Sequence, residues 1–285
     1  NSKNEEWEEA ITFAIIAATL IHVFFIQPFT IPTSSMEKSM LVGDFLLVSK
    51  MHYGANIPNT PIFLPFMHQK IPGTQNTPSY SKLIQLGYNR LPGFQTIKNN
   101  DIVVFNFPAD TLIEDMPFDK RMNYVKRCVG IAGDTLSIVN KNIYINGEEL
   151  IFSKDMQIQF KYILTPDKSM QTKKINSLEQ YLINNDIEAY AQYPRIPSLI
   201  KITQKKKIEK QRGTVGKALG FLLFITEKEK NIIEKNLIAQ GYKFNLDQDE
   251  DPSPVFPKKI KNKWTRDNYG PIYIPKKGDI ITLDS

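Results

Sequence analysis

Ser35 lies in the run Pro32-Thr33-Ser34-Ser35-Met36, a short polar turn that follows an apolar segment. A serine attacks a carbonyl only when a partner takes its proton and donors meet the oxyanion that forms. His22, His52 and His68 are scattered, and none is placed by sequence for a serine–histidine–aspartate triad. The remaining option is a lysine. An ammonium that loses its hydration in an apolar pocket also loses pKa, and the neutral amine becomes available near neutrality. Most lysines here stand in polar, solvated stretches. Lys126 differs: it lies in Met122-Asn123-Tyr124-Val125-Lys126-Arg127-Cys128-Val129-Gly130, where apolar residues alternate. Read as a strand, this run puts Lys126 on one face with Tyr124 and Cys128. Spacing alone still favours plainer readings, an ordinary strand lysine and a turn serine bonded to its own backbone.

Several elements must position such a pair. Ser2 with Glu5 reads as a capping box, and Glu5, Glu6, Glu8 and Glu9 suit a helix start. No charged residue appears from Ala10 to Ile26. Trp7 to Gln27 would span roughly 30 Å as a helix, a match to the hydrocarbon core of a bilayer. Trp7 would then sit at one interface, and His22, near the other end, would reach the opposite one. A cleavable signal peptide fits poorly because the leading flank is acidic; a buried core helix is the other alternative. Lys3 before the segment and Lys38 and Lys50 after it are too few charges to orient it, and taken literally they place the body in the cytoplasm.

Beyond Pro28 the pattern turns to β. Gly43-Asp44, Asn100-Asp101, Gly133-Asp134 and Gly278-Asp279 each precede an apolar or alternating run. Each predicts a tight turn feeding a strand, the last over Ile280 to Leu283. Asn140-Lys141 predicts a hairpin, closed off by Asn146-Gly147. Met51 to Lys98, rich in proline, glycine and aromatics, reads as a long irregular excursion. From about Ile151 to Lys259 helical signals enter. Ser177 with Gln180 and Thr226 with Glu229 read as helix starts, Ile232, Ile233, Leu237 and Ile238 as an apolar face, and Gly241 as a stop. Pro252, Pro254 and Pro257 mark the exit, and Ile272 to Ile274 returns to a strand pattern.

The bulk composition narrows the classes. Hydrophobic residues make up 41% and charged residues 23% of 285, so a packed body is expected. Cys128 is the one cysteine, which excludes an intramolecular disulfide and a multi-cysteine zinc site; neither metal nor cofactor is expected. The +6 charge includes the run Lys205-Lys206-Lys207, but the stretch Lys205 to Lys210 lacks the interleaved aromatics of a nucleic-acid binder, and none is expected as a partner.

The segments around both candidates resemble those of type I signal peptidases, membrane-bound serine–lysine endopeptidases that remove signal peptides from exported proteins. The matching residues are Gln27-Pro28-Phe29, Ile31 to Met36, Leu41 to Lys50 with Tyr53-Gly54, then Asn100 to Phe105, then Tyr124 to Asp134. Three segments in the right order after an apolar helix make the match specific. It covers about residues 1–54 and 90–150. The details look most like the Bacteroidetes type, which carries a large insertion. The resemblance implies Ser35 as nucleophile, Lys126 as general base, and the Thr33 hydroxyl with the Ser35 amide as oxyanion donors. It also implies that Phe29, Ile31, Met36, Met40, Tyr124 and Val125 line shallow pockets for small side chains at −1 and −3. The implied partners are signal peptides of exported preproteins and the lipid bilayer. The implied place is a bacterial inner membrane, single-pass in this chain, with the catalytic body on the periplasmic side.

The expected architecture is thus mainly β. A flank and transmembrane helix take 1–27 and an antiparallel β body starts over 28–150. An inserted α+β subdomain takes 151–259, and the β body returns over 260–285. Two departures from the family stand out. Lys38 occupies a place where the family often has proline. The family's last signature, Gly-Asp-Asn-Arg followed by a serine and an aspartate, is absent, so the chain is expected to lack a carboxy-terminal portion and to be poorly active alone. A catalytically impaired membrane-anchored β scaffold is the rival reading.

Overall fold

The computed structural model describes residues 3–108, 116–152, 156–194, 196, 198–248, 255 and 264–282. It divides into two compact units, one of Asn1–Leu136, Ile145–Gly147 and Pro271–Ser285, the other of Ser137–Tyr144 and Glu148–Gly270.

The first unit begins with helix α1, Lys3–Phe24. Ser2, the outer half of the expected capping box, lies outside the described residues. Asn4–Phe24 is, among the described residues, the one helix long and apolar enough to cross a membrane, and none of its apolar stretch is buried in the protein. The Phe25 amide closes the last turn onto the Ile21 carbonyl at 2.9 Å. Strand β1, Ile26–Thr30, then leaves the helix and pairs antiparallel with β2, Phe45–Ser49, from Ile26↔Ser49 to Thr30↔Phe45. The ribbon has only these two strands, so Pro28 can sit in it with its missing N–H facing outward. A second antiparallel ribbon joins β3, Ile102–Asn106, to β4, Asn123–Arg127, with Val103 opposite Lys126.

The four Gly/Asn-Asp turns share one geometry. In each, the aspartate amide donates to the carbonyl three residues back, and its carboxylate accepts from that residue's amide. The carboxylate distances are 2.8 Å to Leu41, 2.9 Å to Lys98, 2.9 Å to Ile131 and 2.9 Å to Lys276. The third residue of each turn is left-handed: Gly43 at φ 98°, Asn100 at 75°, Gly133 at 98° and Gly278 at 97°. That is the position where a type II turn needs glycine or asparagine. The first three turns feed strands. The fourth does not, since Ile280, Ile281 and Thr282 are irregular and Leu283 lies outside the described residues. The strand expected at 280–283 is therefore corrected. Local turn chemistry starts a strand, but a ladder partner must complete it, and no described residue pairs with 280–282.

Residues 51–98 hold no helix and only isolated bridges, Asn56↔Arg90, Phe63↔Tyr80 and Lys70↔Pro78. Backbone contact fixes the excursion. A Cβ on Gly54 would meet the Leu91 oxygen at 1.8 Å, and one on Gly93 the Gly54 nitrogen at 2.4 Å. Side chains pin it further. Thr60 donates through its amide and hydroxyl to Asp119, both at 3.0 Å, and Gln69 donates to the Lys120 carbonyl at 3.0 Å.

Past the Gly133-Asp134 turn come β5, Thr135–Val139, β6, Asn142–Ile145, and the short β7, Glu148–Glu149. Asn140 and Lys141, at φ 48° and 74°, make the two-residue type I′ turn that the twist of a hairpin prefers. Asn146 and Gly147, at 55° and 86°, repeat it.

The second unit runs β8, Phe160–Pro166; α2, Thr172–Asn184; β9, Glu188–Gln192; β10, Ile200–Lys201; α3, Lys205–Arg212; β11, Gly220–Ile225; α4, Glu227–Ala239; and β12, Phe244–Gln248. Its antiparallel sheet has the order β10-β9-β11-β8-β12. Without β10 and α3 this is a β-α-β-β-α-β chain with the strand order of a split β-α-β fold. Strict alternation on β11 buries Phe221, Leu223 and Ile225 with Leu164, Leu178, Leu182 and Leu237 in one core. Thr226 caps α4 in a complete capping box with Glu229. Gly241, at φ 70°, follows the helix as a left-handed stop. Ile233 and Leu237 are buried, but Ile232 and Ile238 face outward, so the apolar stripe is narrower than expected. Ser177 does not start a helix. It lies inside α2, its hydroxyl bonded back to the Lys173 carbonyl at 3.1 Å. The chain returns in β13, Tyr269–Tyr273, one to three residues ahead of the expected Ile272–Ile274.

Candidate active site

The Pro32–Met36 turn folds as a single 3₁₀ turn, Ser34–Met36, clasped from behind. Ile31 exchanges backbone bonds with the far side of the loop, its amide donating to the Asp44 carbonyl at 3.0 Å and its carbonyl accepting from Gly43 at 2.9 Å. The Met36 carbonyl accepts from Ser39 at 3.0 Å and Met40 at 2.8 Å. Ile31 and Met36 are buried beneath, which turns the polar residues outward and leaves Ser35 and Thr33 exposed. The Thr33 side chain makes no cap bond. The Ser35 amide is an early amide of this turn and has no acceptor within it.

Strand β4 packs against this turn. Lys126 Nζ lies 2.6 Å from Ser35 Oγ, across a separation of 91 residues. Its second contact is to the Val125 carbonyl at 2.9 Å, which aims the amine. Tyr124, on the same face of β4, holds its ring centroid 5.7 Å from Nζ and stacks on Phe107 at 4.5 Å. Burial holds the Lys126 pKa below the ordinary lysine value, and no carboxylate among the described residues offsets it. A half-buried amine bonded to a serine hydroxyl can, once neutral, accept that hydroxyl's proton.

The other predicted residues divide. Phe29, Met40, Tyr124 and Val125 are half-buried and present surface, whereas Ile31 is only 3% and Met36 7% exposed. The latter two support the turn from below. Among the described residues no group of three or more His, Cys, Asp or Glu side chains could hold a metal.

Three features escaped the sequence reading. Arg127, on the opposite face of β4 from Lys126, donates to Ser39 Oγ at 3.1 Å and to the Asn100 carbonyl at 2.8 Å, tying the loop after Ser35 to the strand. Lys38 adopts φ 68°, a left-handed conformation that the ring of proline forbids. The departure from proline there is thus matched by the backbone. Lys126 is also not the lone lysine outside a solvated context. Lys120 is 6% exposed beneath the Phe63 ring at 4.2 Å, and Lys50 is half-buried and held at about 8, first by burial and then by the charge of Lys120. No local signal marks Lys120, because its burial comes from Phe63 and Tyr80 of the 51–98 excursion.

A family model for signal peptidase, peptidase S26, matches residues 4–197. The chain belongs to this family. It is 30% identical over 175 residues to signal peptidase I of Buchnera aphidicola subsp. Baizongia pistaciae, covering 60% of this chain and 44% of that one. It is 28% identical over 144 residues to signal peptidase I of Pseudomonas aeruginosa, covering 50% of this chain and 38% of that one. To signal peptidase I of Rickettsia massiliae it is 28% identical over 148 residues, covering 51% and 44%. The chain thus spans less than half the length of these relatives. No solved structure matches it.

Proposed function

We propose that this chain is a membrane-bound serine endopeptidase that removes N-terminal signal peptides from exported preproteins with a Ser35/Lys126 dyad. The observation that carries the reading is the 2.6 Å contact between Lys126 Nζ and Ser35 Oγ. The neutral amine takes the serine proton as Oγ attacks the −1 carbonyl. The Thr33 hydroxyl and Ser35 amide stabilise the oxyanion, and the lysinium then protonates the leaving amine. Phe29, Met40, Tyr124 and Val125, over Ile31 and Met36, offer an apolar surface that suits small residues at −1 and −3. Helix α1 holds this site beside the bilayer, with the body on the extracytoplasmic side, where cleavage points of exported chains emerge. We propose the domain organisation 1–27, 28–150, 151–259 and 260–285 on the same basis.

The test is cleavage of a preprotein by the full protein in proteoliposomes, with Ser35→Ala and Lys126→Met alongside. Loss of cleavage in both, with folding retained, supports the dyad; cleavage equal to the parent's overturns it. Replacing the −1 and −3 residues of the preprotein with leucine tests the specificity and should abolish cutting.

A further inference from the structure

The exit of α1 carries a cluster of basic side chains that the proposed dyad does not use. The Lys50 amide donates to the Phe25 carbonyl at 2.8 Å, so Lys50 stands at the level where the apolar helix ends. His22 lies in the last turn of α1, its ring 6.1 Å from that of Phe66 in an edge contact. His22 feels the charges of Lys50 and His68, and Lys50 that of Lys120. Among the described residues one acid enters this group: Asp119 sits 3.8 Å from Lys120 and is already bonded by Thr60. His68 Nε2 donates to the Arg121 carbonyl at 2.9 Å. Lys50 makes no ion pair and no side-chain hydrogen bond among the described residues. An ammonium withdrawn from water without a counter-charge is unfavourable and calls for an anion.

We propose that Lys50 and His22 form a binding site for the phosphate of an anionic phospholipid at the leaflet where α1 emerges, with Lys120 adding positive charge behind them. Two observations select a lipid over a soluble anion. The site stands at the end of the one described helix able to cross a membrane. Its rim is apolar: Phe25, Ile26 and Phe66 are all exposed there, as acyl chains require of their neighbours. A single ammonium near a charged leaflet confers about fivefold preference for an anionic lipid.

This inference rests on α1 spanning the bilayer. The experiment is electron paramagnetic resonance of the full chain in phosphatidylcholine bilayers, with acyl-chain spin-labelled phosphatidylglycerol or phosphatidylcholine as probe. The parent should hold labelled phosphatidylglycerol about fivefold more strongly than labelled phosphatidylcholine. Lys50→Gln, and more fully Lys50→Gln with His22→Gln, should bring the ratio near one, whereas Lys50→Arg and the remote Lys206→Gln should keep it. A ratio unchanged in the glutamine variants overturns the site while leaving the span intact. Displacement of the labelled lipid by excess inorganic phosphate overturns the choice of lipid. Absence of any restricted lipid, phosphatidylcholine included, overturns both the span and the site.

Discussion

The two units are held together by different means. The second has an ordinary core, in which Leu164, Leu178, Leu182, Leu223 and Leu237 are fully buried between the sheet and its helices. The first buries few apolar side chains, Ile31, Met36, Ala55 and Met116, and leaves many outside, with Phe45 at 85% and Phe94 at 77% exposed. What orders it instead is backbone geometry and carboxylates. Asp134 accepts from the Ile131 amide, from Asn146 at 3.0 Å and from Asn99 at 3.3 Å. Asp101 accepts from the Lys98 amide and from Tyr53 at 2.8 Å, an arrangement that holds the Asp101 carboxyl low, while burial first and then this bond push the Tyr53 phenol up to about 12. The contrast teaches that apolar surface need not be buried where another solvent will receive it. A body whose sheets expose Phe45 and Leu47 beside a membrane-length helix suits a bilayer face, while the second unit keeps a closed apolar core.

The comparison can be broken at several strengths. Lys126→Met should lower cleavage by at least about 100-fold, up to about 10,000-fold, because the proposed dyad then loses its general base. Its melting curve should stay close to the parent's; a large fall in stability would make Lys126 a structural residue. The pH profile sharpens this further. In the proposed dyad the unprotonated amine is the active form, so kcat/KM should rise with pH through the Lys126 pKa. That midpoint should lie below about 10.4, because burial depresses it. A midpoint at or above the free value would remove burial as the source of the base.

In the second unit the large effects should be on stability. Leu223→Ala should cost about 2–5 kcal/mol in urea unfolding, since the side chain is fully buried. Proteolytic cleavage of the second unit should accelerate with it, and a variant as resistant as the parent would contradict a leucine-dependent core. Returning to the first unit, Lys38→Pro should lose about 1–3 kcal/mol through the clash with φ 68°, while Lys38→Gly should gain a fraction of that. Equal stability of both variants would exclude the left-handed turn. Smallest of all, Thr226→Ala should cost about 1 kcal/mol by removing the capping box of α4, read from the same unfolding curves.

Much of this protein is legible residue by residue. The four aspartate turns, the two type I′ hairpins, the Thr226 cap and the apolar α1 depend on neighbours within a few positions, and those neighbours are in the sequence. The failures are equally specific. Ser177-x-x-Gln180 satisfies a capping pattern but lies within α2, because the helix already began at Thr172. Gly278-Asp279 makes the same turn as its three counterparts, yet no strand follows, because pairing needs a distant partner.

By itself, then, the sequence determined the local torsions: where the chain turns, and that a serine sits at the tip of one such turn. Only the tertiary structure decided which lysines lose their water. Lys126 meets Ser35 from 91 residues away, Lys120 disappears beneath Phe63, and Lys50 has no ion-pair partner among the described residues at the helix exit. The reason is physical: a dihedral preference is set within a few residues, whereas desolvation, and with it the basicity of an amine, is set by whatever the fold brings alongside.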